Sequence, residues 1–214
     1  MKIDRHGKAK ILSQQEIQLL FNHGLQNDRD RALFGICLFC ACRVNEACTL
    51  RTRDVYDHKG KVLPKLIIRK GNTKGKLATR TIPVIEDLRS LLIAHQKNAG
   101  EVYLFPGRHS HYQPDSADDT LRKACKRVGL IGVSSHSFRR TALTQMSDNG
   151  TPLRVIMEIS GHRNMAQVAA YIEVRDEQVL GAVTGLSMLS PASVSEIVSY
   201  FGDFQKGQLP DKSL

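Results

Sequence analysis

The sequence predicts an α+β fold that is mostly helical and carries one small, three-stranded antiparallel sheet. Three observations lead to that prediction. Helix-capping patterns and glycine stops recur along most of the chain. Between residues 54 and 84 they give way to short β-branched and apolar runs separated by turn residues. At 41% apolar and 24% charged residues, the composition suits a chain that buries a sizeable core.

Two helices are predicted before the sheet. Ser13 and Glu16 form a capping box, in which each side chain accepts a hydrogen bond from the other residue's backbone amide, and a helix over 14–25 follows. The next helix, over 29–48, is apolar nearly all round. Such a pattern indicates a helix at the centre of the core.

Four of the five cysteines lie in this second predicted helix, at Cys37, Cys40, Cys42 and Cys48. A secreted disulfide framework would space its cysteines in pairs, so reduced thiols in a cytoplasmic protein are expected. Zinc ligation is the alternative role for these thiols. Because Cys40 and Cys42 fall on different faces of a helix, packing in the core is favoured over a metal site.

The strand pattern occurs three times, at 55–56, 62–68 and 79–84. The helical pattern then returns five times, at 86–98, 116–128, 136–149, 151–160 and 164–172. Thr151 as N-cap and Pro152 at the first helical position begin the fourth of these helices, and Gly161 ends it as a left-handed cap.

The last segment carries helix signals of its own. Ser193 and Glu196 form a second capping box, and an apolar stripe follows helical spacing through Val194, Ile197, Val198 and Phe201. A helix this short needs a surface on which to bury its stripe, and both its own domain and a neighbouring copy of the chain are open as that surface. We predict one domain over 1–185 and a helical appendage over 186–214.

Positive charge is concentrated in two stretches. Lys and Arg total 31 against 21 Asp and Glu, a net charge of +10. Residues 51–80 hold ten basic and two acidic side chains, and residues 121–140 hold six basic and no acidic ones. Such local charge is typical of a polyanion-binding surface, and a basic solubilising surface is the alternative. No apolar run approaches the ~20 residues of a membrane span, and the charged N-terminus does not resemble a secretion signal.

Several residues spread along the chain can carry chemistry when they are taken together. Arg43 lies in an otherwise apolar stretch, where a lone guanidinium is expensive to bury, and Glu46 one turn later is its expected partner. His136 and Arg139 are three residues apart, which places imidazole and guanidinium on one helical face. The further candidates are His162, directly after a helix stop, and Tyr171.

This order, with Arg43, a lysine in the hairpin, His136-x-x-Arg139, Gly161-His162 and Tyr171, resembles the catalytic domain of the tyrosine recombinase (phage integrase) family. The likeness extends over about residues 10–175. Asn45 and Ser160 stand where members more often have serine and leucine. The resemblance implies the tyrosine recombinase catalytic-domain fold. The chain is similar to the small members that lack a separate N-terminal core-binding domain, such as the fimbrial DNA invertases.

The resemblance also implies a role for each residue. Tyr171 would attack a DNA phosphodiester to leave a 3′-phosphotyrosine and a free 5′-hydroxyl, and a second 5′-hydroxyl would rejoin the strand without ATP, metal or another cofactor. The donors that would stabilise the charge on phosphorus are Arg43, Arg139 and His162. His136 would accept the tyrosyl proton, and Glu46 would orient Arg43. The predicted general acid is Lys74, and the alternatives are Lys70 and Lys76.

Double-stranded DNA is the implied partner, bound by a dimer or tetramer in which the appendage is exchanged between neighbours, and an accessory DNA-binding protein is a further candidate partner. The residues predicted to contact DNA are Lys61, Lys65, Arg69, Lys70, Lys76, Arg122, Lys123, Lys126, Arg127 and Arg140. Three alternative functions stay open. They are a non-catalytic DNA-binding regulator on the same fold, an RNA- or polyanion-binding protein, and a type IB topoisomerase that relaxes DNA without exchange.

Overall fold

The computed structural model describes residues 9–72, 78–169 and 176–186. Its helices are α1 (Gln14–Leu19), α2 (Asp28–Phe39), α3 (Val44–Cys48), α4 (Glu86–His95), α5 (Pro114–Arg127), α6 (Ser135–Asp148), α7 (Leu153–Ser160), α8 (Met165–Ala169) and α9 (Asp176–Thr184). Its strands are β1 (Lys65–Ile68) and β2 (Arg80–Pro83), which pair antiparallel. The mostly helical α+β prediction is confirmed. The chain divides into two compact units, Met1–Glu173 and Val174–Leu214.

Helix α2 is the centre of the first unit, as its apolar surface predicts. It packs against α3, α4 and α6, and its residues from Ala32 to Leu38 are buried. The ring of Phe34 stacks on Phe138 of α6 with centroids 5.1 Å apart. Since α6 carries Arg139 next to Phe138, this contact ties the position of a candidate functional side chain to the core.

The predicted single helix over 29–48 is wrong: the chain forms two helices, α2 and α3, with a break at residues 40–43. Ala41 adopts a left-handed conformation with φ of 45°, which an α-helix does not accommodate. Arg43 then becomes the N-cap of α3, and its backbone N–H donates to Glu46 Oε2 over 2.9 Å. The break frees the Ala41 carbonyl from helical bonding, so that it can accept a hydrogen bond from elsewhere in the fold.

The sheet has two strands in the described residues, where three were predicted. The segment expected to form the first strand makes one bridge, between Tyr56 and Val62, and the preceding residues Thr52–Asp54 turn as a 3₁₀-helix. Asp57 Oδ1 accepts from two nearby backbone amides at 2.8 Å each, which holds a tight turn. Because Pro64 has no N–H, the ladder cannot continue regularly into β1.

The remaining helix boundaries follow the predictions closely. Gly161 ends α7 in the left-handed conformation with φ of 71°, as predicted, although Pro152 is its N-cap and not its first helical residue. The predicted helix over 14–25 runs as α1 and continues as a π-helical turn, Leu20–Gly24. The predicted C-terminal stripe, Val194 to Phe201, lies outside the described residues. Within the described ranges, no helix is long and apolar enough to cross a bilayer.

Candidate functional site

Three arginines from three separate elements surround one buried carboxylate. Glu46 in α3 has a side chain that is 1% exposed. Its Oε1 lies 3.3 Å from Arg43 Nη1, and its Oε2 lies 2.7 Å from Arg80 Nη2 and 3.9 Å from Arg139 Nη1. Burial by itself raises the pKa of Glu46, but the hydrogen bond and charge of Arg80 outweigh it and hold that pKa below its ordinary value. Glu46 is therefore ionised at neutral pH.

The local structure explains how these side chains meet. The break between α2 and α3 places Arg43 at the start of a helix, where its side chain is 28% exposed, whereas the side chain of Glu46 is buried. Arg80 opens β2 on the same face as the buried Ile82, and β2 packs against α7. Arg139 extends from the first turns of α6.

Arg139 is held by two backbone carbonyls, one between α2 and α3 and the other at the end of α7. Its Nη1 donates to the Ala41 carbonyl over 2.6 Å, and its Nη2 donates to the Ser160 carbonyl over 2.9 Å. Burial first, and then the like charges of Arg43 and Arg80, lower the pKa of Arg139 to about 10. The guanidinium group stays charged at neutral pH. Its hydrogen bonds to the two carbonyls fix the position of that charge.

His162 is next to Arg139 and is 7% exposed. Its Nε2 lies 3.0 Å from Arg139 Nη2, and its Nδ1 lies 2.8 Å from Ser160 Oγ. Burial, followed by the charges of Arg139 and Arg43, lowers the pKa of His162 to about 4. The imidazole is therefore neutral at physiological pH and can donate one hydrogen bond without adding charge to the cluster.

The cluster has an excess of positive charge. Three guanidinium groups face one carboxylate, which leaves a formal charge of about +2 beside a neutral imidazole. Two buried N–H donors, Nε of Arg80 and Nε of Arg139, have no hydrogen-bond partner among the described residues. Buried donors normally have a partner, so this arrangement suits an anionic ligand with several oxygen acceptors.

A pocket of about 380 Å³ opens beside the cluster. Arg80 and His162 form part of its wall, with Thr79 from the segment before β2 and Met157 from α7. Arg154 and Arg163, both exposed, add positive charge at its rim, against one acidic side chain, Glu158. The pocket thus reaches the cluster at Arg80 and His162.

Arg80 is the member of the cluster that we did not predict as a functional residue. The strand pattern contained the signal: Arg80, Ile82 and Val84 alternate with exposed residues and are all buried. An arginine on the inward face of a strand needs a buried acidic partner, and Glu46 is that partner. Helical spacing alone pairs Glu46 with Arg43, three positions earlier.

The structure brings together the predicted residues Arg43, Glu46, Arg139 and His162. His136 lies exposed on the first turn of α6, about one turn before Arg139. Lys70 is exposed at the end of the β1 side of the hairpin, where its backbone N–H donates to Thr79 Oγ1 over 3.1 Å. The other predicted catalytic residues, Lys74, Lys76 and Tyr171, lie outside the described residues.

The predicted DNA contacts divide into two groups. The first group is exposed and comprises Lys61, Lys65, Lys70, Arg122, Lys123, Lys126 and Arg127, whereas Lys76 is outside the described residues. Three of these also have protein partners: Arg122 and Lys123 pair with Asp119, and Arg127 Nη1 donates to the Gly24 carbonyl. In the second group, the arginine or its partner is buried: Arg69 binds both carboxylate oxygens of buried Asp54 at 2.6 Å, and Arg140 is 7% exposed and donates to the Ala9 carbonyl.

The five cysteines are free and buried, and they belong to the core rather than to this site. Burial raises the pKa of Cys48 to about 12 and that of Cys125 to about 11, so both thiols stay protonated. Packing was the role predicted for the four cysteines of the second helix. Among the described residues, no group of three or more potential metal ligands occurs.

Comparison with known proteins matches residues 10–178 to the phage integrase family. A tyrosine recombinase of Pseudothermotoga lettingae is 28% identical over 177 residues, which is 82% of this chain and 60% of that protein. The tyrosine recombinase XerA of Pyrococcus horikoshii is 27% identical over 180 residues, which is 81% of this chain and 60% of that protein. The chain thus spans about 60% of the length of these relatives.

Solved structures show the same fold. The crystal structure of XerA recombinase superposes with a TM-score of 0.69 at 21% identity and covers 86% of this chain and 68% of that one. The structure of XerH site-specific recombinase bound to palindromic difH substrate, a post-cleavage complex, gives a TM-score of 0.65 at 18% identity and covers 91% of this chain and 55% of that one. At these identities the likeness concerns the fold alone.

Proposed function

Because the chain belongs to the phage integrase family, we propose that it is a site-specific DNA recombinase that cleaves and rejoins strands through a covalent 3′-phosphotyrosine. The observation that carries this proposal is the cluster of Arg43, Arg139 and His162, with its excess of positive charge and the partnerless buried Nε of Arg139. Such a site suits a phosphodiester, since guanidinium groups offer paired donors to phosphate oxygens.

In the proposed reaction, the phenolic oxygen of Tyr171 forms a bond to phosphorus while the bond to the 5′-oxygen breaks. The tyrosyl proton passes to a base, for which we propose His136, exposed one turn from Arg139. The leaving 5′-oxygen takes a proton from a hairpin lysine. We keep Lys74 as that acid and Lys70 and Lys76 as alternatives; Lys70 lies at the base of the hairpin.

Rejoining reverses these steps: a 5′-hydroxyl attacks phosphorus, and the tyrosyl oxygen leaves and regains a proton. The phosphodiester energy is conserved in the phosphotyrosine, so the proposed reaction needs no ATP. In this proposal guanidinium groups, and not a metal ion, stabilise the charge on phosphorus. Negative charge on the non-bridging oxygens rises in the transition state, and Arg43 and Arg139 stabilise it there. Each fixed donor contributes about 3 kcal/mol when water is excluded.

Binding to double-stranded DNA rests on the exposed basic residues of the hairpin and of α5, which include Lys65 and Lys126. They neutralise phosphates, so affinity is expected to fall with salt. We also propose that a dimer or tetramer assembles on DNA, with the segment 186–214 exchanged between neighbours. The structure of XerH with difH substrate shows a DNA complex for a protein of the same fold.

The decisive experiment uses a nicked suicide DNA substrate from which the cleaved end diffuses away. The wild-type chain should form a covalent protein–DNA adduct in the presence of a chelator, and Tyr171→Phe should form none while it still binds DNA. Tyr103→Phe is the matched control, because it removes a different phenol and should trap DNA as the wild type does.

Equal trapping by wild type and Tyr171→Phe would remove the assignment of Tyr171. Specific DNA binding with no adduct would instead favour a non-catalytic DNA-binding regulator on this fold. A circular substrate with paired target sites then separates exchange from simple relaxation, because only a recombinase changes the order of the flanking sequences.

A further inference from the structure

We propose that Arg80 is a positioning residue: it holds the Glu46 carboxylate so that the charge of Arg43 and Arg139 remains available to the DNA phosphate. This inference rests on the proposed function, because it concerns the same phosphate site. It assigns Arg80 no contact with the reacting atoms. Its role is exerted through Glu46.

The contacts around Glu46 are unequal. Arg80 spans both carboxylate oxygens, with Nη2 at 2.7 Å from Oε2 and Nη1 at 3.4 Å from Oε1. The contact of Arg43 Nη1 is 3.3 Å, and that of Arg139 Nη1 is 3.9 Å. A guanidinium that uses its fork on both oxygens takes the largest share of the carboxylate's charge. Arg139, at the longest distance, is the least neutralised of the three.

Arg80 is also held more firmly than Arg43. Its side chain is 5% exposed, compared with 28% for Arg43. It also packs against Gly161, where an added Cβ would lie only 2.6 Å from Arg80 Nη1. Strand β2 fixes its backbone by pairing Arg80 with Ile68. Arg80 therefore keeps its place on Glu46 more firmly than the partly exposed Arg43 does.

Removal of Arg80 would change what Glu46 does. One buried carboxylate would then face two guanidinium groups, Arg43 and Arg139, and would attract both at short range in a poorly screened site. The formal charge offered to a phosphate would fall from about +2 to about +1. The carboxylate would also lose its main stabilising contact while it stayed buried, so its pKa would rise.

The test compares Arg80→Met, Glu46→Gln and the double variant in the suicide-substrate assay. Arg80→Met should slow adduct formation by about 10- to 100-fold. Because the loss of rate comes from the released Glu46 carboxylate, the double variant Arg80→Met with Glu46→Gln should form the adduct about tenfold faster than Arg80→Met alone. The rate of Arg80→Met should also rise as the pH is lowered and Glu46 becomes protonated. Arg108→Met, at an exposed loop position, controls for the loss of one positive charge.

A double variant that is as slow as Arg80→Met, or slower, would overturn the inference and favour a direct phosphate contact by Arg80. Adduct formation at the wild-type rate by Arg80→Met would overturn it too. Thermal unfolding and DNA affinity, measured on every variant, show whether a slow variant is folded and binds.

A second measurement does not depend on catalysis. Carbon-13 NMR can follow the titration of the Glu46 carboxyl group, whose signal is identified by its loss in Glu46→Gln. Arg80→Met should raise the pKa of Glu46 by at least about one unit. An unchanged pKa of Glu46 in Arg80→Met would overturn the inference, whether or not the wild type is active on DNA. A wild type that is inactive on DNA, together with a raised pKa of Glu46 in Arg80→Met, would refute only the proposed function.

Discussion

Gly161→Ala should destabilise the protein more than the same change at two other left-handed glycines. Gly129, Gly150 and Gly161 have nearly equal φ values of 70°, 73° and 71°. The backbone cost of adding a Cβ is therefore nearly the same at each, about 1–2 kcal/mol. A Cβ at Gly129 or Gly150 would meet nothing within 4 Å, but one at Gly161 would lie 2.6 Å from Arg80 Nη1 and 3.2 Å from its Cζ.

Arg80 cannot simply swing away from that added methyl group, because its bond to Glu46 Oε2 is 2.7 Å long and both groups are buried. The overlap should add about 1–3 kcal/mol, as overpacking of a close-packed interior does. Urea unfolding should thus give a loss of about 2–5 kcal/mol for Gly161→Ala and about 1–2 kcal/mol for Gly129→Ala and Gly150→Ala.

Gly161→Ala and Gly129→Ala also separate an effect on stability from an effect on DNA cleavage. Gly161→Ala should slow adduct formation under conditions in which the variant is folded, since it displaces Arg80, whereas Gly129→Ala should react as the wild type does. Equal destabilisation by the three substitutions would refute the argument, because it would mean that Arg80 does not press against Gly161 in solution.

Three further predictions follow from the described contacts. The pKa of His162 is about 4 in the folded chain and ~6.5 in the unfolded chain, so the unfolded chain binds the extra proton as the pH falls from 6.5 to 4. Urea unfolding should therefore show that stability drops by about 2 kcal/mol between pH 7 and pH 5, and His162→Gln should reduce that drop. Ala41→Val should cost about 3 kcal/mol of stability, because a β-branched residue would enter a buried position with φ of 45°. Ala41→Gly should stay within about 1 kcal/mol of the wild type, and a larger loss for Ala41→Gly than for Ala41→Val would contradict the strained backbone. Arg69→Met should lower stability, because it leaves Asp54 buried without its guanidinium, whereas Lys65→Met should spare stability and weaken DNA binding. The reverse order in urea unfolding and gel-shift titration would count against the assignments.

The sequence predicted most of the helices because their signals are local. Ser13 and Glu16 form the expected capping box, and Gly161 is the expected left-handed cap. The break at Ala41 was missed because alanine is a strong helix former and no glycine or proline marks the turn. Its left-handed conformation is stabilised by contacts from distant parts of the chain, among them the bond from Arg139 to its carbonyl.

The candidate site was predictable where residues belong to one motif and unpredictable where the fold joins distant ones. Arg43 and Glu46 are three residues apart, and their pairing was expected from helical spacing. Arg80 and Glu46 are separated by 34 positions, so their contact depends on how β2 packs against the rest of the unit. Arg69 shows the same limit: its place in a basic stretch predicts a phosphate contact, but its ion pair with buried Asp54, 15 positions earlier, could not be inferred from composition.

The burial of all five cysteines has a practical consequence. A folded chain should react slowly with thiol reagents, so one cysteine introduced at an exposed position can be labelled selectively without first replacing the native ones. Pairs of spin labels or fluorophores placed in this way on separate copies would report the distances between protomers assembled on DNA. The rate at which the native thiols are alkylated would, in the same sample, measure how often the core opens.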